Sequence, residues 1–415
     1  MKSFVEYSSN SDFSIHNIPF GVAVFNKEFI ACCTRIGDQV VDLATLYDLA
    51  YFEEIEGLDD NVFEAYTLNE FIELGKPITN AVRLKIQELL LEGSILSKDQ
   101  KTIEDAFYDL DKVKMMMPVH IPNYTDFYSS IEHATNVGKM FRDPENALLP
   151  NWKHLPVGYH GRASSIVVSG TDINRPKGQM KPADAEKPVF GPCKQLDFEL
   201  EMAFIINKNT EMGESISTKE AEDAIFGMVV FNDWSARDIQ SWEYVPLGPF
   251  LAKNFGSSVS PWVVTLEALE PFRTTSPTQD PEVLDYLKFE GDKNYDINLQ
   301  VYLQPENSEE NLISESNYKF MYWNMTQQLA HHTVNGCNVE VGDMYASGTI
   351  SGSDPKSFGS MLELTWRGQN PIKLNNGQER KFIEDNDTVT MKAWAEKDGV
   401  RVGFGEVSGK IIPTK

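Results

Sequence analysis

The pentapeptide Asp197-Phe198-Glu199-Leu200-Glu201 alternates acidic and apolar residues with the period of a β-strand. Read as one strand, it places three carboxylates on one face and Phe198 and Leu200 on the other, against a core. Glu199 and Glu201 then stand roughly 7 Å apart along the chain. Without a counter-charge each would raise the pKa of its neighbour, and a divalent cation between them is the simplest remedy. An all-oxygen shell favours Ca²⁺, Mg²⁺ or Mn²⁺ over Zn²⁺. The competing reading is a solvated strand face, and acids from elsewhere in the chain have to decide between the two.

At 415 residues the chain exceeds what one hydrophobic core usually organises, which predicts two domains. A formal net charge of −25 repels phosphate backbones and anionic lipid, and so argues against nucleic-acid and membrane-surface roles. No stretch approaches the roughly 20 apolar residues of a membrane span. The opening Met1-Lys2-Ser3-Phe4-Val5-Glu6 lacks the apolar centre of a secretion signal, so a cytoplasmic location is expected. Cys32 and Cys33 are adjacent, whereas Cys193 and Cys337 stand alone. They form neither a C-x-x-C pair nor a disulfide framework and read as packing residues or minor thiols.

Short β-rich runs from Phe20 to Val24 and from Phe29 to Leu43 flank Gly37-Asp38, the signature of a hairpin in a small β unit. A helix follows, with Asn80 as its expected cap, Val82, Ile86, Leu89 and Leu90 as its apolar stripe and Gly93 as its terminator. Pro118 and Pro122 bracket an extended connector, which places the domain boundary there, dividing 1–118 from 119–415. Beyond it, Ile297–Val301 alternates strictly, Asp398-Gly399 separates two β runs, and helical patterns are short. The larger domain is therefore expected to be mostly β, and the whole chain α+β. Arg175–Pro192, rich in Pro, Lys and Gly, reads as a long ordered or semi-ordered loop.

Candidate chemistry begins at Tyr124-Thr125-Asp126-Phe127-Tyr128. Ser129 and Glu132 have capping-box spacing, which would set His133 in the first turns of a short helix and Asp126 and Tyr128 in the loop before it. A lone helical histidine is most often structural; the neighbouring acid and aromatic residue raise this one above that. The run Ile225–Phe231 is apolar throughout, like a buried strand, and delivers Asp233 at its end. Ser235 and Asp238 can cap the next helix, on which Arg237, Gln240 and Tyr244 share a face. Arg237 could equally pair with Asp238 or Glu243. Lys253 has apolar neighbours, and a buried ammonium requires an acidic partner. Glu363 interrupts Met361–Trp366 opposite Leu362, Leu364 and Trp366, where it is either solvated or orients a histidine. Ser347–Gly352 is rich in small residues but lacks the Gly-Lys-Ser/Thr ending of a phosphate cradle, and no G-x-S-x-G, H-E-x-x-H or dinucleotide fingerprint occurs. His331 and His332 fit the end of a helix bearing Met321, Met325 and Leu329, where imidazoles complement the helix dipole.

Taken together, these stretches resemble the fumarylacetoacetate hydrolase family. The resemblance runs from Ser11-Asp12-Phe13 to the last strand and is densest over Tyr124–Gly170 and from Asn232 through Ser257. Asn146-Ala147-Leu148-Leu149-Pro150-Asn151-Trp152 and Ser347-Gly348-Thr349-Ile350-Ser351-Gly352-Ser353-Asp354 carry it with high specificity, whereas D-x-E-x-E alone indicates only the wider superfamily. The resemblance implies a small N-terminal SH3-like barrel followed by a larger mixed β-roll domain, assembled as a homodimer. It implies Asp126, Glu199, Glu201 and Asp233 as ligands of Ca²⁺ and/or Mg²⁺, which makes Asp197 a neighbour and removes one of the three carboxylates from the first reading. A second cation site in relatives involves Asp233, Lys253, Gly256 and a threonine, for which this chain has Ser257. His133 is implied as general base oriented by Glu363, with Arg237, Gln240 and Lys253 on the oxyanion or leaving-group side. Tyr128, Arg142, Tyr159, Gln240, Tyr244 and Thr349 match the substrate-binding positions.

The implied reaction is hydrolysis of a carbon-carbon bond in 4-fumarylacetoacetate, a diketo diacid, to fumarate and acetoacetate, the last step of tyrosine and phenylalanine breakdown. The nearest rival is an acylpyruvate hydrolase or a related decarboxylase using the same cation on a shorter keto acid. A cation-stiffened structural protein is a rival of another class, but a brace needs no base and no oxyanion donors.

Overall fold

The computed structural model describes residues 1–415. Its N-terminal part is a five-stranded antiparallel sheet in the order Phe107–Asp109, Gln39–Asp42, Phe29–Ile36, Phe20–Phe25 and Val113–Met115, the arrangement of a small SH3-like barrel. The expected hairpin turns at Gly37, whose φ of 55° is left-handed and suits glycine. The helix after it spans Lys76–Leu89 with Gly75 as its N-cap and Pro77 in the first turn, where the missing amide is no loss. Asn80 therefore lies inside that helix and does not cap it. Val82, Ile86 and Leu89 are buried along it, as the stripe predicts.

The site is built on a larger mixed sheet. Its strands run in the order Gly158–His160, Tyr124–Phe127, Met344–Ala346, Leu200–Ile206, Ile225–Asp233, Ser257–Val259 and Ile166–Val168, with Val264–Thr265 also paired to Ile225–Asp233. Two of these pairings are parallel, Tyr124–Phe127 with Met344–Ala346 and Ser257–Val259 with Ile166–Val168. The central strands are buried on both faces. Met202, Phe204, Ile206, Met228 and Val230 enter one core; Ala203, Ile205, Phe226, Val229 and Phe231 enter another that they share with the N-terminal barrel. Burial on both sides is why Ile225–Phe231 reads as unbroken apolar sequence. The first core also takes in Leu299, Val301, Val389, Met391 and Val402 from a second five-stranded sheet, ordered Asn311–Asn317, Asn298–Gln304, Thr388–Lys397, Val400–Ile412 and Ile173–Asn174. The chain is thus mostly β, with the large sheet between two cores.

Two further local expectations differ from what forms. Arg175–Pro192 is not only loop: Lys177–Met180 and Val189–Pro192 pair antiparallel as a hairpin. The acidic pentapeptide is not one strand. Leu196–Asp197 pairs with Ser235–Ala236, Phe198 and Glu199 lie outside any strand, and Leu200–Ile206 begins afterwards.

Candidate active site

Strand register gathers the acids. Asp126 sits opposite Ala346 on one side and Tyr159 on the other, Leu200 opposite Asn232, and Asp233 opposite Ser257. Asp126 is thus a strand residue, not the loop residue expected. The outcome is a buried cluster in which Asp126, Glu199, Glu201 and Asp233 each offer an oxygen, all four within 4.8 Å of one another. Asp197 is turned away from it, as the break in the pentapeptide requires. Its carboxylate accepts from Arg237 Nε at 2.8 Å and from the Met361 and Leu362 amides at 2.6 and 3.0 Å.

Two basic side chains neutralise part of the cluster. Lys253 Nζ lies 2.6 Å from Glu199 Oε2 and 2.7 Å from Asp233 Oδ2, so the buried ammonium has its acidic partners. Arg237 Nη1 lies 2.7 Å from Glu199 Oε1. Burial pushes the Glu199 carboxyl up, but Lys253 and Arg237 outweigh it and hold it well below the usual range. Asp126 and Glu201 go the other way: burial raises both, and the acids beside them, Asp233 for Asp126 and Asp126 for Glu201, raise them further. Asp126 Oδ1 and Glu201 Oε1 are buried without any hydrogen-bond partner. Orphaned carboxylate oxygens in a net-negative buried cluster are the donor set of a hard divalent cation, so these residues fit one. Ser257 Oγ donates to Asp233 Oδ1 at 2.8 Å and Tyr159 Oη to Asp233 Oδ2 at 2.9 Å, while Gly256 is buried next to Ser257.

His133 stands near this cluster. Its helix runs Ile131–Phe141, with Ser130 and not Ser129 as N-cap; the Ser130 hydroxyl accepts from the His133 amide. The imidazole and Glu363 are both buried, with Nδ1 2.6 Å from Glu363 Oε2. Glu363 is in the short helix Met361–Leu364, not on a strand, and it also accepts from Asn136 Nδ2 at 2.9 Å, Ser360 Oγ at 2.9 Å and Ser351 Oγ at 3.0 Å. Burial raises its carboxyl, but His133 and these donors prevail and leave it below the usual range. An ionised Glu363 holds the proton on Nδ1 and leaves Nε2 free to accept one. The ring of Tyr128 meets the imidazole edge-on, with centroids 5.1 Å apart.

The other expected residues divide between buried and exposed positions. Thr349 is buried with its hydroxyl unpartnered. Arg237 Nη1 donates to Gln240 Oε1 at 3.2 Å, which leaves the Gln240 amide N–H groups available. The helix Arg237–Glu243 starts at Ala236 without a side-chain cap, so neither Ser235 nor Asp238 plays the part expected. Tyr244 is 50% exposed. Arg142 is exposed too and folds back so that Nη2 donates to the Ala147 carbonyl at 2.7 Å.

Sequence reasoning missed the support around the site. Gly348 donates its amide to Glu201 Oε2 at 2.9 Å. With φ at +76°, a Cβ there would lie 2.2 Å from the Phe127 carbonyl oxygen, so the small-residue loop lets backbone approach a carboxylate. Ser360 and Glu363 have the S-x-x-E spacing of a helix start, a signal that would have identified the helix.

Residues 16–118 match the family model described as Fumarylacetoacetase N-terminal, and residues 123–412 the one described as Fumarylacetoacetate (FAA) hydrolase C-terminal. The chain belongs to the fumarylacetoacetase family. It is 52% identical over 414 residues to human fumarylacetoacetase, covering 99% of each chain. It is 51% identical to that of Dictyostelium discoideum, covering 100% of this chain and 98% of the relative. For the enzyme of Arabidopsis thaliana the identity is 48%, with 100% and 99% covered. A solved fumarylacetoacetate hydrolase from Exiguobacterium antarcticum shares the fold at a TM-score of 0.53 and 16% identity, covering 95% of this chain and 99% of that one. Family membership makes the chain a hydrolase and excludes the purely structural reading.

Proposed function

We propose that the chain cleaves 4-fumarylacetoacetate hydrolytically to fumarate and acetoacetate, the closing step of tyrosine and phenylalanine breakdown. The observation that carries this reading is the buried imidazole–carboxylate pair of His133 and Glu363 beside a four-carboxylate cluster. We assign Asp126, Glu199, Glu201 and Asp233 to a resident Ca²⁺ or Mg²⁺, which would supply Lewis acidity toward the diketone oxygens. Asp233, Lys253, Gly256 and Ser257 are assigned to a second cation position.

His133 Nε2 takes a proton from water, whose oxygen attacks the fumaroyl carbonyl carbon. Arg237 offers the donor for the oxyanion: its Nη2 is buried and has no partner, while Nε and Nη1 are fixed by Asp197 and Glu199. The amide of Gln240 and the ammonium of Lys253 complete that side. When the carbon-carbon bond breaks, its electron pair leaves with acetoacetate and the proton held by His133 goes to that carbon. Fumarate keeps the water oxygen, and the second hydrogen of that water leaves as a proton when the new carboxyl group ionises, so atoms and charge balance. Tyr128, Tyr159 and Thr349 line the interior of the substrate position, and Arg142 and Tyr244 sit at its rim. A guanidinium fork suits the distal carboxylate.

The test is the fall in absorbance of fumarylacetoacetate with purified protein, with and without added divalent ions. Turnover that stops on chelation and returns with Ca²⁺ or Mg²⁺ supports the reading; preferential cleavage of acylpyruvates overturns the substrate assignment.

We further infer a cytoplasmic homodimer whose boundary between barrel and catalytic domain lies at 118–119. No helix is long and apolar enough to cross a membrane. The segment after the Arg237 helix exposes Leu247 at 96% and Phe250 at 67%, apolar area of the kind a subunit interface covers. Light scattering is expected to give twice the chain mass, and a monomer at micromolar concentration would rule the dimer out.

A further inference from the structure

Asp197 is fully buried, and its two oxygens accept four hydrogen bonds. Oδ1 takes the amides of Phe198 at 2.8 Å and Met361 at 2.6 Å; Oδ2 takes Arg237 Nε at 2.8 Å and the Leu362 amide at 3.0 Å. These donors belong to both arms of the site. With Nε on Asp197 and Nη1 on Glu199, the guanidinium plane is fixed and Nη2 is the nitrogen left without a partner. Met361 and Leu362 open the short helix that bears Glu363, and their amides are among the first-turn donors that have no intrahelical acceptor. One carboxylate therefore fixes the guanidinium on one side and the start of the Glu363 helix on the other.

We propose that Asp197 is a positioning residue that ties the oxyanion donor Arg237 to the helix that orients His133. The proposal rests on the roles given above to Arg237 and to the His133–Glu363 pair. It touches neither substrate nor metal directly; it acts through both arms at once. Asparagine in its place keeps one acceptor oxygen but turns an N–H₂ toward groups that are themselves donors, so either Arg237 and Leu362 or Phe198 and Met361 lose their acceptor and the tie between the arms is broken or loosened.

The experiment is a double-mutant cycle on the metal-loaded enzyme with fumarylacetoacetate as substrate. Asp197→Asn is expected to lower kcat by about 10²-fold, the scale of one lost oxyanion donor, with KM changed by less than about 3-fold. In an Arg237→Met background the same change should cost under about 3-fold, because the group it positions is gone; Glu363→Gln should blunt it likewise. Independent, multiplying effects would overturn the proposal, as would a raised KM at unchanged kcat. Arg237→Met at wild-type activity would tell against the role of Arg237 itself, whereas an impaired Arg237→Met beside an unimpaired Asp197→Asn tells against Asp197 alone. Should Asp197→Asn not fold, Asp197→Glu, which keeps the charge and shifts it by a methylene, takes its place. If neither accumulates as folded protein, Asp197 serves stability and the proposal fails.

Discussion

Replacing His133 with alanine is expected to lower kcat on fumarylacetoacetate by about 10² to 10⁴, the usual contribution of a positioned general base. The loss should fall on turnover and leave cation binding in place, because the imidazole is not among the four side chains whose oxygens converge. The fold should survive as well. Glu363 Oε2 loses its contact with His133 but keeps the hydroxyls of Ser351 and Ser360, and Oε1 keeps Asn136, so no buried carboxylate oxygen is orphaned. Helix Ile131–Phe141 keeps its cap, since Ser130 accepts from the backbone amide of residue 133 and not from its side chain. Steady-state kinetics beside calorimetric titration with Ca²⁺ separates the two effects. Wild-type turnover in His133→Ala would remove His133 as the base, and loss of Ca²⁺ binding with turnover would mean that the imidazole belongs to the metal shell.

What the sequence discloses about this site depends on how each residue is placed. Asp233 was legible because it ends an unbroken apolar run, and a strand buried on both faces has that appearance in any context. Glu199 and Glu201 were legible as a pair, but the alternation that suggested a third member failed at Asp197. A strand pattern cannot register that the chain leaves one ladder after Asp197 and joins another at Leu200. Around Glu363 the apolar residues alternate, and the helix that forms there could not be read because four helical residues are too few to establish a 3.6-residue period, though the Ser360 cap marks the start. Asp126 lies on a four-residue strand that no periodicity could distinguish from loop. The convergence of residues near 126, 133, 199, 233 and 363 arises from sheet order, which inserts Met344–Ala346 between Tyr124–Phe127 and Leu200–Ile206. No local pattern encodes that crossover, and here only family resemblance supplied the ligand set ahead of the structure.

Asp126→Asn should make the metal-free protein more stable near pH 8 while abolishing its function. Burial and then Asp233 raise the Asp126 carboxyl, and burial, Asp126 and Glu199 raise that of Glu201, so the folded metal-free cluster holds protons that the unfolded chain has released. Stability from such groups is fully present below the unfolded carboxylate pKa of about 4 and drains away as pH climbs through the raised folded values. Metal-free wild type should accordingly melt lower at pH 8 than at pH 5.5. A divalent cation takes over the part of the proton, so the rise in Tm on adding Ca²⁺ should be larger at pH 8 than at pH 5.5. Asparagine removes one of the charges in conflict. Its metal-free form should exceed metal-free wild type at pH 8 by about 2 °C for each kcal/mol relieved, its pH dependence should be flatter, and its response to Ca²⁺ should nearly vanish. Turnover should drop by at least about 10², since no cation would be held in place to polarise the diketone oxygens of the substrate. Differential scanning fluorimetry in chelator and in Ca²⁺ at both pH values, beside the absorbance assay, tests each part. An undiminished Ca²⁺ response in Asp126→Asn would mean that the four acids do not form the metal shell. A lower melting point in chelator at pH 8 would instead place Asp126 among the residues whose charge the fold requires, since a carboxylate paired with Lys253 stabilises and one crowded by Asp233 and Glu199 does not.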